Sequence, residues 1–163
     1  QTGYEILAER TVEQLKYIHA VYDLAKEKGY IQDATFAGMK HRMEQENMQR
    51  SEKVARGEAV YGLKEYTLDL YQEYELSMIE EAYILDETNE GMGLTEEEIE
   101  AYYNTRDWIV GEDARKADLS EARAAVIDEM RRNRYQELTE QKAAVAEVDG
   151  DMDQLSQFTL KQL

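Results

Sequence analysis

The sequence predicts an all-α chain of about five helices in a single domain. Three observations carry this. There is no proline and there are only nine glycines in 163 residues, which favours long uninterrupted helices over a turn-rich β fold. Apolar residues recur at three- and four-residue steps in most segments. The interruptions fall at glycines and short polar clusters, where helices stop.

Thr2, with Glu5 three residues on, forms a predicted capping box that opens a helix over about residues 3–28. Leu15, Ile18, Tyr22 and Ala25 fall on one face, and Gly29 stands where a left-handed C-terminal residue is needed. Asp33 is the expected N-cap of a second helix over roughly 34–56, with Phe36, Met39 and Met43 as its stripe and Gly57 as its stop. Its distal half, EQENMQRSEK, is polar enough to be solvated or packed through aliphatic stems.

The third helix is expected over about 64–86. Tyr71, Tyr74, Met78 and Leu85 form one row, which Leu70, Ile79 and Tyr83 broaden into the most buried face of the chain. DETNEGMG breaks it, and LTEEEIEAYY opens a short fourth helix with Thr95 as N-cap and Glu98 closing a capping box. TRDWIVGEDARKAD has no clear period and reads as a loop around the sole tryptophan, Trp108. Asp118 and Glu121 open the last long helix, to about Val145, with Leu119, Ala122, Val126, Met130 and Leu138 inward. The organisation expected is a helical domain over 1–148 and a tail or short docking helix over 149–163.

Charge narrows the partners. Asp and Glu outnumber Lys and Arg 36 to 19, for a net charge of −17, so a nucleic acid backbone or an anionic lipid surface is repelled by most of the exterior. No run of about 18 apolar residues is present to insert into a bilayer. Without cysteine, disulfides, zinc thiolates and thiol nucleophiles are excluded. The chain begins at Gln1, so any signal peptide or lipid anchor is expected upstream of it.

No catalytic residue, metal ligand or cofactor is predicted. His19 and His41 are the only histidines and neither sits in a ligand motif. Asp149, Asp151 and Asp153 are spaced like the first calcium ligands of an EF-hand, but Gln154 replaces the glycine and Leu160 the glutamate that such a loop requires. Glu96, Glu97, Glu98 and Glu100 read as a solvated first helical turn rather than a carboxylate cluster. No GxSxG, Walker or GxGxxG motif occurs.

The tyrosines offer the functional candidate. Tyr61, Tyr66, Tyr71 and Tyr74 lie on the third helix and its approach. At helical spacing such a stripe is ordinarily core, each phenol reaching out for a hydrogen bond. The functional reading is a groove whose rings and methionines grip apolar segments of another polypeptide. One wide helix face can do both.

Two segments bear a family likeness. LTEEEIEAYYNTR resembles the opening of the helix that precedes the isomerase domain in SurA- and PrsA-type extracytoplasmic foldases. DLSEARAAVIDEMRRNRYQELTEQKAAVAEV resembles the helix that follows that domain, and AKEKGY at residues 25–30 resembles the lysine-rich stop of their first helix. Only about a dozen residues separate the two segments here, too few for a parvulin domain.

The resemblance therefore implies the helical chaperone part alone, with N- and C-terminal helices packed together, located outside the cytoplasm and lacking isomerase activity. It implies binding of unfolded or extended polypeptides, for which Tyr66, Tyr71, Tyr74, Met78 and Trp108 are the candidate contacts. The alternative is an assembly module that pairs as a homodimer or with a fixed protein partner.

Overall fold

The computed structural model describes residues 3–110 and 114–147. Among these the chain is all-α with five helices: α1 (Gly3–Glu27), α2 (Phe36–Ala55), α3 (Leu68–Leu85), α4 (Glu96–Tyr103) and α5 (Leu119–Ala144). The one addition is a two-residue antiparallel pair, β1 (Ile109–Val110) with β2 (Arg115–Lys116), inside the segment expected to be a loop. The first capping box, the tail from 149 and the calcium-like spacing lie on or reach residues outside those described.

The chain divides into two compact units. One holds the described residues up to Ile79 together with those from Glu140 onward, and the other is Glu80–Thr139. Thus α3 and α5 each supply residues to both.

In the first unit α1 ends as the sequence requires. Gly29 has φ 75°, a conformation that costs a residue with a Cβ, and the amides of Gly29 and Tyr30 donate to the carbonyls of Lys26 and Ala25. The long terminal helices pack together here. Glu13, Lys16 and Tyr17 of α1 share a groove with Glu140, Ala143 and Ala144 of α5, and Lys142 Nζ lies 3.5 Å from Glu27 Oε2. The core is Val21, Tyr22, Ala25, Ile31, Met39, Tyr71 and Ile79.

Two expectations change. The N-cap of α2 is Thr35, whose hydroxyl accepts from the Gly38 amide at 3.1 Å. Asp33 stands one step back, accepting from the Thr35 amide through Oδ1 at 2.8 Å. Both residues can cap, and the one that holds extended backbone immediately before Phe36 takes the role. On α3 the buried ridge runs through Tyr71, Glu75, Ile79 and Tyr83, at steps of four, whereas Met78 is 52% and Leu85 66% exposed. A carboxylate occupies the buried ridge, so an apolar pattern places the face one residue away.

The second unit is built on α4 and α5. Thr95 and Glu98 form the capping box expected for α4, and Asp118 and Glu121 exchange the equivalent bonds at the start of α5. Ala122, Val126 and Met130 of α5 close on Ile99, Trp108 and Ala117. Trp108 donates through Nε1 to the Tyr103 carbonyl at 3.2 Å, and its own carbonyl accepts from the Ala117 amide at 2.7 Å. Tyr83, Ile84, Met92 and Thr139 are also fully buried in this unit.

All seven basic side chains of this unit are ion-paired internally. Arg132 alone meets Glu80, Glu81 and Asp128, and Arg106, Arg115, Lys116, Arg123, Arg131 and Arg134 each meet one carboxylate. Backbone and arginine hydrogen bonds hold the Glu98 carboxyl below its usual range. Arg115 and the Asp118 amide do the same for Glu121, and Arg123 for Glu96. A carboxyl with a depressed folded pKa contributes stability above its unfolded pKa and loses it as pH falls through the folded value. Acidification from about pH 5 toward pH 3 is therefore expected to lower the unfolding midpoint, and Glu98→Gln to flatten that dependence. Denaturant titrations across this range check it.

Candidate docking site

The tyrosines at the approach to α3 come together as a packed cluster. Tyr66 stacks on Tyr74 with ring centroids 5.1 Å apart and meets Tyr71 edge-on at 5.7 Å. Aromatic pairs in these geometries contribute about 1 kcal/mol each beyond area burial. Asn47 of α2 exchanges two hydrogen bonds with the Tyr66 backbone, at 2.7 and 2.9 Å. The Arg50 guanidinium sits 4.8 Å from the Tyr66 ring and donates to the carbonyls of Tyr61 and Leu63. Thus a polar-looking stretch of α2 is the clamp that fixes the α2–α3 connection.

Beneath the rings lies an ion pair. Arg42 donates to Glu75 through Nε at 2.5 Å and through Nη2 at 3.0 Å, and its Nη1 reaches the Asp33 carbonyl. The Tyr71 hydroxyl donates to the same carboxylate at 3.3 Å. Among the described residues the buried Tyr22 hydroxyl has no hydrogen-bond partner within bonding geometry, and its ring lies 5.9 Å from the Arg42 guanidinium.

Burial and the neighbouring Glu75 charge push the ionisation of Tyr22 and of Tyr71 far above the ordinary tyrosine range. Groups with raised folded pKa values keep their stabilising contribution below the unfolded value, about 10, and lose it above. In an alkaline absorbance titration these two phenols are expected to ionise only on unfolding. Early native-state ionisation of all the tyrosines would refute this.

Of the predicted contacts, Tyr66, Tyr71 and Tyr74 are brought together, with Tyr71 buried and the other two half-buried. Met78 is exposed on α3, and Trp108 is buried in the core of the other unit.

The open apolar surface of the first unit lies elsewhere. Leu15, Ile18, His19 and Tyr22 of α1, with Ala34, Thr35, Phe36 and Met39 at the start of α2 and Gln72 of α3, line a groove of about 110 Å³. Phe36 is 63% exposed and Leu15 44%. Residues assigned to the core by their spacing thus stand at the open edge of this groove. An apolar residue at the first position of a helix is the available sequence signal, and it is ambiguous.

Among the described residues no group of three or more His, Cys, Asp or Glu is placed to hold a metal ion, and no helix is long and apolar enough to cross a membrane.

No family model matches the chain. It is 37% identical over 158 residues to a protein described as a chaperone for lacto-N-biosidase from Bifidobacterium longum subsp. longum. That alignment covers 96% of this chain and 56% of the relative, so the chain spans little more than half of the curated relative's length. Among solved structures, the GH136 lacto-N-biosidase of Eubacterium ramulus matches with a TM-score of 0.65 over 90% of this chain and 31% of that one, at 18% identity. The fold thus occurs as about a third of a chain that bears an enzyme's name.

These matches overturn the resemblance to SurA- and PrsA-type foldases. The segments that carried it are a capped helix start and an amphipathic ridge, which local helix chemistry produces in unrelated proteins.

Proposed function

We propose that this chain is a chaperone dedicated to one glycoside hydrolase of the lacto-N-biosidase kind, and not a general holder of unfolded polypeptides or an enzyme. The observation that carries the reading is the 37% identity, over nearly the whole chain, to a chaperone for lacto-N-biosidase. The match to part of a lacto-N-biosidase chain supports it through the fold alone. A helical unit of this kind joined to the enzyme in one protein, and separate from it in another, is the arrangement expected if the unit's partner is the rest of that enzyme.

The packing of the tyrosines also favours a fixed partner. Rings clamped by Asn47 and Arg50 make a rigid framework, which suits one complementary surface better than many clients.

Refolding yields test this. At stoichiometric ratio the chain is expected to raise the active yield of denatured lacto-N-biosidase several-fold and to leave an unrelated aggregating enzyme unaffected. Equal protection of both would restore the general reading, and protection of neither would remove the chaperone role.

A further inference from the structure

We infer that the groove between α1 and the start of α2 is the seat of the partner hydrolase, and that it takes a segment of that enzyme bearing one large apolar side chain flanked by Lys or Arg. This rests on the reading of the chain as the partner of a lacto-N-biosidase. Size sets the first part of the occupant. The groove volume of about 110 Å³ is somewhat below the roughly 150 Å³ that accommodates a benzene ring, which is room for a leucine, isoleucine or methionine, or for the edge of an aromatic ring. Its lining is apolar apart from His19, Thr35 and Gln72, and Phe36 and Leu15 hold large apolar area in solvent at its mouth. Exposed aromatic anchors beside a concavity are where association energy concentrates.

Charge sets the flanks. Asp33 adjoins the lining residues Ala34 and Thr35 and is exposed. Its carboxylate accepts from Thr35 and folds against Gly38, where an added Cβ would come within 2.5 Å of Asp33 Cγ. Gly38 thus leaves room for a fixed negative group at the α2 end of the groove. The chain as a whole carries −17, and the cations of the 80–139 unit are already paired internally. A basic flank on the occupant meets this field, and an acidic one is repelled.

The test co-expresses this chain with the Bifidobacterium longum lacto-N-biosidase and purifies through a tag on the enzyme. A photo-crosslinking residue replaces Leu15, Phe36 or, as a control on the exposed side of α5, Glu137. Crosslinks from positions 15 and 36 to the enzyme, and none from 137, are expected. Phe36→Asp, at a solvent-facing site and with an unchanged circular dichroism spectrum as its folding control, is expected to weaken co-purification at least tenfold, and raising the salt concentration to weaken it further. Co-purification with crosslinks from 137 alone, or crosslinks from 36 to a second copy of this chain, would overturn the assignment of the groove and leave the chaperone reading standing. Failure of the wild-type chain to co-purify would remove both.

Discussion

Replacing Arg42 with alanine is expected to destabilise the first unit by about 3 kcal/mol. The guanidinium is the charge partner of Glu75, whose side chain is 8% exposed, and among the described residues it makes two of the three hydrogen bonds to that carboxylate, the Tyr71 hydroxyl making the other. Its removal leaves a buried anion without its charge partner, beside the Tyr71 hydroxyl. It also frees the Asp33 carbonyl, so the entry to α2 loosens with the core. Breaking one side of a buried pair costs far more than replacing both sides by apolar groups. The double variant Arg42→Met/Glu75→Leu should therefore recover most of the loss. Denaturant unfolding, with amide exchange read in α2 and α3, measures both. A loss below about 1 kcal/mol in the single variant would mean that the pair behaves as a surface salt bridge.

Tyr83→Ala is expected to cost the second unit about 4 kcal/mol, in the range for deleting a large buried aromatic side chain. The ring is 1% exposed and lies 5.4 Å from that of Tyr135, and its hydroxyl donates to the Glu90 carbonyl in the turn after α3. Tyr83→Phe keeps the packing and loses one hydrogen bond of 3.3 Å, so about 1 kcal/mol is expected. A similar loss in both variants would place the stabilisation in the hydroxyl instead of the ring.

Local chemistry was legible in the sequence, and non-local chemistry was not. Thr95 and Glu98 satisfy each other within one turn, so their motif identifies the start of α4 without reference to anything else. Gly29 and Gly57, with φ 75° and 73°, close α1 and α2 where the apolar stripes end. Glu75 was missed as a core residue because its partner is 33 positions away on another helix, and period alone then shifts the buried face of α3. Trp108 does stand in a loop, as the missing period implies, but buried. Its burial depends on Tyr103, the short β pair and α5 closing around it, none of which has a local signature. The same holds for the groove: Leu15 and Phe36 continue good stripes, yet both stand exposed at its edge.

The stabilising pair and the clamped tyrosines make a rigid unit, and rigidity is what a dedicated partner surface needs. The most direct measurement is the hydrolytic activity of the lacto-N-biosidase in soluble extract when the enzyme is expressed alone and with this chain. The account predicts that co-expression raises soluble activity at least tenfold, and that Phe36→Asp returns it toward the level of the enzyme alone. Equal activity with and without the chain, at matched enzyme expression, would contradict it.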